Sequence, residues 1–438
     1  MRLHVKKYIL FVFPFPRMVQ QKKIKTVFLA AFTAETLCVT WGLKIPGGTN
    51  SISLIYFIAG VSMAIAMLSL PSLSLSGRLS FRALNKRSSH FRLVILGLVA
   101  LVMYTQCLYW FEEITLDIYN ADMLPIIKVM DQRFIAGQWS KIYEPIPEIW
   151  KGVQPIYLPA MWQPFVPAVA LGIDMRWTTV AGLLFVSGVF IFLYRARAGS
   201  YFSFFTGVLA FLLFWWLFAD NSPGLITVSE EGVVIAYYVL LVLAIASRNT
   251  VLTGVAASLC MLSRYALAGW IPAFLLYLLL KKQYKQALVF SLTGLICLFV
   301  LFIGPVGWST FFRLLHLPGN YIQFAAVVWK DSPAVFSTGI GFAGLFGPHR
   351  IVLLHGLLVT LSFLVPFLFV LTGHFRGKKR KIANLPLAAL KLSLVIFYSF
   401  IDVPYLYLIY TSSFVSLIIV VLMAREEGGS AEPSAAAA

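Results

Sequence analysis

The sequence is poor in acidic residues. Its 438 residues include 17 aspartates and glutamates against 35 lysines and arginines, and charged residues make up only 12% of the chain. Hydrophobic residues make up 60%, and the mean hydropathy is +0.86. So little charge excludes a soluble globular protein of ordinary composition. We therefore expect a polytopic membrane protein.

Cysteine is scarce as well, and its positions exclude two structural uses. The four cysteines all lie inside apolar segments, without the spacing of metal ligands: Cys38, Cys107, Cys260 and Cys297. This pattern argues against a disulfide framework and against a zinc site. No small-residue cleavage site follows the basic stretch Met1–Lys25, so we expect an uncleaved cytoplasmic start, with Met18 as an alternative initiator.

The net charge of +18 has a topological explanation. Lysine and arginine form short clusters between apolar runs, the strongest at residues 378–381, which is the positive-inside pattern of membrane proteins. We therefore expect contact with anionic lipid headgroups and no nucleic-acid partner. The composition favours a bacterial inner membrane with both termini cytoplasmic, and an endoplasmic reticulum protein is the alternative.

Long apolar runs are abundant, and they predict the fold class. Continuous runs of about 17–25 apolar residues can cross a bilayer as helices. We predict an all-α polytopic membrane protein with about 12 crossings: Ile24–Leu43, Ser51–Leu70, Leu93–Phe111, Thr178–Tyr194, Phe202–Ala219, Val233–Ala246, Thr250–Ser263, Tyr265–Leu280, Ala287–Gly304, Ile351–Leu371, Leu385–Phe400 and Pro404–Met423. Residues 1–23 are expected to form a cytoplasmic segment, 24–425 the membrane domain, and 426–438 a disordered tail.

Two external loops, at residues 112–157 and 305–348, separate these crossings. Within the first, apolar residues at helical spacing predict an amphipathic interfacial helix over Ala121–Ile135, with Lys128, Asp131 and Arg133 on its opposite face.

The apolar run that follows the first loop, Ile156–Ile173, contains Pro159, Pro164 and Pro167. Each proline removes a helical hydrogen-bond donor. Counting this run as half-embedded keeps the basic clusters on one side of the membrane. Because broken helices at membrane depth line cavities, this segment is expected beside an active site.

Seven of the 17 acidic residues lie in the first external loop: Glu112, Glu113, Asp117, Asp122, Asp131, Glu144 and Glu148. Asp117 and Asp122 follow the third crossing most closely. A carboxylate placed there can act as general base on a hydroxyl or bind a divalent cation. The alternative is that both are acids of a solvated loop. We interpret the concentration of acids as the active-site loop of a membrane enzyme.

The residues around these acids resemble a known family. Asp117-Ile118-Tyr119-Asn120-Ala121 is followed by Phe134-x-x-Gly137-x-Trp139-x-x-Ile142-Tyr143, and then by Tyr157-Leu158-Pro159. This order resembles the first external loop of GT-C superfamily glycosyltransferases, closest to the polyprenyl-phosphate-sugar-dependent, mannosyltransferase-like branch. The resemblance covers roughly residues 93–305. It departs from the family in lacking a double proline and in placing two extra spans before the loop.

The resemblance implies a GT-C-like fold and a reaction. A sugar would pass, with inversion, from a polyprenyl-phosphate donor to the hydroxyl of a glycan, lipid or protein acceptor on the outer face. Asp117 matches the family's general base, and Arg264 its basic residue facing the lipid-linked phosphate. Asp122 would orient the acceptor or a divalent cation, and no other cofactor is implied.

Further side chains are candidates for substrate contacts. Arg264 interrupts an apolar run, where an ionisable group usually faces a cavity or a partner, although snorkelling to the interface is the alternative. Arg313 and His316, one helical turn apart, could face a phosphate. Candidates for contact with sugar or acceptor are Tyr119, Trp139, Tyr143, Tyr157, Glu230 and Glu231. The glutamates could also bind a metal or simply mark the outer end of a span.

Two other functions remain open. An O-antigen ligase or polymerase would depend on Arg and His in the late loop at residues 305–348. A transporter or flippase without chemistry would pair acids and bases across helices inside the membrane, whereas here the acids gather in one loop. The lack of a strong internal repeat weakly disfavours inverted-repeat transporters.

Overall fold

The computed structural model describes residues 17–42, 45, 49–73, 75, 86–120, 122–149, 152–194, 200–220, 224–315, 321–376 and 383–426. Within these ranges the regular structure is helical, apart from one isolated bridge between Ile146 and Val153. The basic cluster at 378–381, His316, most of the segment 1–23 and nearly all of the tail lie outside the described residues.

The helices follow one another with few long breaks. In chain order they are α1 (Arg17–Thr40), α2 (Thr49–Met67), α3 (Lys86–Glu113), α4 (Met123–Ile135), α5 (Pro159–Trp162), α6 (Val166–Ala170), α7 (Arg176–Leu193), α8 (Tyr201–Ala219), α9 (Glu231–Ser247), α10 (Thr250–Met261), α11 (Trp270–Leu280), α12 (Tyr284–Leu298), α13 (Gly304–Leu315), α14 (Tyr321–Asp331), α15 (Ala334–Thr338), α16 (Ala343–Phe346), α17 (Ile351–Arg376), α18 (Leu385–Phe400) and α19 (Tyr410–Glu426).

Among the described residues, seven helical stretches are long and apolar enough to cross a membrane: Thr49–Met67, His90–Glu113, Arg176–Leu193, Tyr201–Ala219, Tyr284–Leu315, Pro348–Phe375 and Leu406–Arg425. Four shorter apolar helical stretches coincide with further predicted crossings: Glu231–Ser247, Thr250–Met261, Tyr265–Leu280 and Leu385–Phe400. The protein is therefore an all-α membrane protein. The number of 12 crossings and the GT-C-like arrangement stay predictions.

Helix α19 forms the centre of the bundle. In its apolar window 94% of the residues are buried, against 11% in the window of α3. It packs against α1, α8, α9 and α18, and it carries the buried hydroxyls of Thr411, Ser412, Ser413 and Ser416. Small polar side chains let helices approach closely and hydrogen-bond to one another in a membrane.

Two glycines fix the contact between α7 and α9. A Cβ atom on Gly232 would lie 2.2 Å from the backbone oxygen of Thr179, and one on Gly182 would lie 2.4 Å from the backbone oxygen of Gly232. Only glycine permits so close an approach. The contact holds the first turn of α9, which begins at Glu231, against α7.

The helix predicted over Ala121–Ile135 is confirmed as α4, which begins two residues after the predicted start. Its position at the membrane interface stays a prediction. Its buried residues include Met123, Ile126, Ile127 and Met130. The placement of Asp131 on the opposite face was wrong, because Asp131 is fully buried. It lies four residues after Ile127 and therefore on the same face of the helix as the apolar stripe.

The proline-rich run is broken, as predicted. Its helical pieces are α5, a 3₁₀ turn at Gln163–Phe165, and α6, each with proline in its first two positions. The backbone N–H of Ala160 donates to the carbonyl of Leu262 at 3.0 Å, and the Tyr237 hydroxyl donates to the Ala160 carbonyl at 3.3 Å. The run therefore lies beside the loop that carries Arg264.

Two predicted boundaries change. The crossing predicted to end at Gly304 continues through a π-helical turn, Phe299–Ile303, into α13, which bends at Gly307 with φ of 81°. The crossings predicted on either side of Arg264 differ in their main neighbours, since α10 packs mostly on α9 and α12 whereas α11 packs mostly on α17. A Cβ atom on Gly269 would lie only 1.6 Å from the Ser362 carbonyl oxygen of α17.

Candidate functional site

Arg264 is the centre of the candidate site. It follows the end of α10 in an extended conformation, with φ of −148° and ψ of 145°. Its Nη2 atom lies 2.5 Å from Oε1 of Glu230 and 2.6 Å from Oε2 of Glu231. Both glutamate side chains are fully buried, and the arginine side chain is 12% exposed. The sequence placed these residues on the outer side but did not pair them.

The two glutamates occupy the N-terminus of α9, where free backbone N–H groups and the helix dipole stabilise negative charge. The Glu231 carboxylate accepts a hydrogen bond from the Thr411 hydroxyl of α19, and its backbone N–H donates to the Ser229 hydroxyl at 3.2 Å. One guanidinium therefore faces two carboxyl groups. Its charge is already compensated, so an anionic ligand here would need further donors.

Several polar atoms around Arg264 are buried and have no hydrogen-bond partner within the described residues. They are Nε of Arg264, Oε2 of Glu230 and the hydroxyl of Tyr238. Tyr238 lies within electrostatic reach of Arg264 and Glu231. Buried polar atoms are normally paired, with ordered water where protein groups are absent. Orphaned donors and acceptors at one place therefore indicate a position for water or for a polar ligand.

Tyrosines from separate segments surround this position. Tyr321 of α14 and Tyr407 lie within electrostatic reach of Arg264, and Tyr157 lies within reach of Glu230. Burial raises the pKa of Tyr321 to about 12, and it raises that of Tyr157 well above its usual value, with the charge of Asp122 adding to the effect. These two phenols stay protonated at neutral pH and can donate hydrogen bonds.

The two candidate bases have different surroundings. The Asp117 carboxylate accepts from the Thr115 hydroxyl at 2.6 Å and from the backbone N–H groups of Tyr119 and Asn120 at 2.8 and 2.9 Å. The Thr115 bond, and after it those of the backbone, lower the pKa of Asp117. It is therefore ionised, but its oxygens hold its own turn. Asp122 instead lies within reach of Tyr157, on the side of the Arg264 cluster.

The predicted aromatic contacts divide into exposed and structural residues. Tyr119 is 85% exposed, and Trp139 is half exposed and stacks on Phe134 with ring centroids 5.9 Å apart. Tyr143 is fully buried, where its hydroxyl donates to the Tyr157 carbonyl at 2.9 Å and accepts from Trp162 Nε1 at 3.1 Å. Tyr143 thus fixes the loop that carries Tyr157.

The segment 305–348 contacts the loop at 112–157. Nη2 of Arg313 donates to the carbonyl of Tyr143 at 3.3 Å. This bond connects α13 with the base of the acidic loop. The predicted pairing of Arg313 with His316 lies outside the described residues.

The sequence analysis missed two ion pairs and the burial of Asp131. Lys391 of α18 lies 2.8 Å from Oε1 of Glu35 in α1, His355 Nδ1 lies 2.7 Å from Oδ2 of Asp402, and Asp131 has no partner for either oxygen within the described ranges. Burial raises the pKa of Asp131 to about 8. Lys391 and Glu35 each interrupt an apolar run, and that signal alone could have found them.

No group of three or more His, Cys, Asp and Glu side chains that could hold a metal ion occurs among the described residues. No protein-family model, curated protein or solved structure matches the chain. Fold and site together define a helical membrane protein with a buried arginine–glutamate cluster.

Proposed function

We propose that the protein is an integral-membrane glycosyltransferase of GT-C type, which transfers a sugar from a polyprenyl-phosphate donor to an acceptor hydroxyl with inversion. The observation that carries the proposal is the cluster at Arg264. It combines an unpartnered guanidinium N–H, an unpartnered carboxylate oxygen of Glu230 and protonated phenols beside a broken helix. Sugar hydroxyls need both donors and acceptors, and a leaving phosphate needs donors where its charge develops.

The acidic loop would supply the base. Either Asp117 or Asp122 would take the acceptor proton as the acceptor oxygen bonds to the anomeric carbon. The resemblance favours Asp117, whereas the surroundings of Tyr157 favour Asp122. In the second case Asp117 would hold the turn that positions Asp122.

The test is transfer from radiolabelled polyprenyl-phosphate sugars in membranes that contain matched amounts of each variant. We expect Arg264→Lys, which keeps the charge but removes the Nε donor, to lower transfer by about 10²-fold or more. One of Asp117→Asn and Asp122→Asn should lower it by about 10²–10⁴-fold, and this result assigns the base. Glu113→Gln, an exposed acid at the end of α3, is the control. Full activity in all three test variants would refute the proposal.

A transporter or flippase is the second candidate, because one of its expected features is present. Buried acids and bases do pair across helices, Lys391 with Glu35 and Arg264 with Glu230. Movement of a fluorescent lipid-linked sugar across liposomes containing the purified protein, without transfer to any acceptor, would favour this function. The ligase alternative instead predicts that Arg313 variants lose activity while both aspartate variants keep it.

A further inference from the structure

A second pair of titratable side chains lies near the candidate site. His355 is in the second turn of α17, and Asp402 is in the turn between α18 and α19. Nδ1 of His355 and Oδ2 of Asp402 are 2.7 Å apart, with the aspartate side chain 7% and the histidine side chain 18% exposed.

The pair adjoins the Arg264 cluster by two routes. Tyr321 of α14 lies within electrostatic reach of both Arg264 and Asp402. The turn that carries Asp402 also carries Tyr407, which lies within reach of Glu230 and Arg264. Oδ1 of Asp402 and the hydroxyl of Ser399 are buried and without a hydrogen-bond partner within the described residues. Further unpartnered polar atoms therefore lie at the turn that carries Asp402.

The chemistry of the pair suits a proton donor. Where the Asp402 carboxylate is ionised it only accepts hydrogen bonds, and Nδ1 of His355 is then the donor across the 2.7 Å contact. An imidazolium held in this way presents its second N–H at Nε2. Because the charge of Arg264 is already compensated by two glutamates, a departing phosphate would need another donor.

We infer that His355, oriented by Asp402, is the general acid that protonates the departing polyprenyl phosphate. In this step the acceptor oxygen bonds to the anomeric carbon, and its proton passes to the carboxylate of the acidic loop. The bond between the anomeric carbon and the phosphate oxygen breaks, and its electron pair stays on that oxygen. The Nε2 proton of His355 then moves to the phosphate. This inference rests on the proposed glycosyltransferase function.

The kinetic test compares His355→Gln with His349→Gln, an exposed histidine at the same end of α17. We expect His355→Gln to lower the rate at saturating donor by about 10²-fold, with the KM for the donor within about threefold of wild type. Added imidazole should restore part of the rate of His355→Gly and leave wild type unchanged. Asp402→Asn, which removes the orienting charge, should lower the rate about tenfold. His349→Gln should transfer normally.

A second measurement uses the wild-type protein and needs no variant to fold. Diethylpyrocarbonate acylates accessible imidazoles, and mass spectrometry locates the adducts. Farnesyl phosphate should protect His355 but not His349, and inorganic phosphate at the same concentration should protect it less. Equal labelling of His355 with and without farnesyl phosphate would overturn the inference.

The outcomes separate this inference from the function on which it rests. Normal transfer by wild type together with a His355→Gln rate within twofold of it would overturn the general-acid role alone. Failure of wild type to transfer sugar from any polyprenyl-phosphate donor would overturn both.

Discussion

Two buried ion clusters in this protein differ in how completely their atoms are paired. Lys391 contacts both oxygens of Glu35 and the hydroxyl of Ser412, while the hydroxyls of Ser413 and Ser416 donate to the same glutamate. Around Arg264, in contrast, a guanidinium nitrogen, a carboxylate oxygen and a phenol have no partner within the described residues. A fully paired cluster supports the fold, whereas an incompletely paired one can also take a ligand.

The comparison bears on the transporter alternative. A buried acid–base pair was expected to mark a transport path, yet the Lys391 cluster uses both carboxylate oxygens of Glu35 within the protein. It joins α1, α18 and α19 at the centre of the bundle. We therefore interpret the Lys391 cluster as a structural contact that holds these helices together. We interpret the Arg264 cluster as the place where substrate binds.

Breaking the paired cluster should cause the largest loss of stability. Lys391→Met leaves Glu35 buried without a cation, so we expect the free energy of unfolding to fall by about 3–5 kcal/mol. Adding Glu35→Gln to this variant should recover most of the loss. Thermal unfolding in detergent, followed by tryptophan fluorescence, measures both, with the exposed Lys128→Met as control. An unchanged transition in Lys391→Met would contradict the structural role.

Displacing the Arg264 cluster should lower the free energy of unfolding less than the Lys391 variant does, but should lower the sugar-transfer activity more. Gly232→Ala forces α9 away from Thr179, and overpacking of this kind typically costs about 1–3 kcal/mol. Because Glu231 immediately precedes Gly232, we expect sugar transfer per folded molecule to fall as well. Gly97→Ala is the matched control, since its Cβ atom would meet nothing within 4 Å. Equal stability of the two variants would disprove the close contact.

Asp131 extends the comparison to a buried carboxyl group that has no hydrogen-bond partner among the described residues. Its pKa rises on folding from 3.8 to about 8, so the folded protein holds a proton that the unfolded chain releases. Stability should therefore fall as pH rises from about 4 to about 8 and then level off.

Asp131→Asn removes this titration. We expect the variant to gain stability relative to wild type across that interval, by roughly 4–5 kcal/mol at pH 8, and to differ little at pH 4. Unfolding transitions at a series of pH values measure the difference, with the exposed Asp331→Asn as control. A gain that does not depend on pH would contradict the burial of an uncharged Asp131.

The smallest effect is expected at Tyr143. Tyr143→Phe removes the hydrogen bond to the Tyr157 carbonyl and the acceptor of Trp162 Nε1, a loss of about 1–2 kcal/mol. If Tyr143 only fixes the loop, donor KM should change more than the maximal rate. Tyr119→Phe, at an 85% exposed position, is the comparison. A large fall in the maximal rate would instead give Tyr143 a direct catalytic role.

Local sequence patterns predicted the helices and their breaks better than they predicted which helices pack against one another. The apolar spacing of Met123, Ile126, Ile127 and Met130 predicted α4, and the prolines predicted the broken run after it, because both signals act within a few residues. The same spacing rule, applied one residue further, would have buried Asp131. The interruption of an apolar run singled out Arg264.

Contacts between distant segments could not be predicted in this way. Arg264 meets Glu230, 34 residues away, and its neighbour Glu231, and Lys391 meets an acid 356 residues away in α1. No periodicity connects such positions, because tertiary packing alone brings them together. The main neighbours of α10 and α11 could not be predicted for the same reason, since α10 packs mostly on α9 and α12, and α11 mostly on α17.

The sparse packing of α3 connects the acidic loop to the thickness of the bilayer. The apolar stretch His90–Glu113 has 24 residues and is mostly exposed on the protein surface. At about 1.5 Å per residue it is roughly 36 Å long, longer than a hydrocarbon core of about 30 Å. Such a helix accommodates the mismatch by tilting, and thinner membranes demand more tilt. Because the loop with Asp117 and Asp122 starts at the C-terminal end of this helix, we expect the tilt that a bilayer imposes on α3 to be transmitted to that loop.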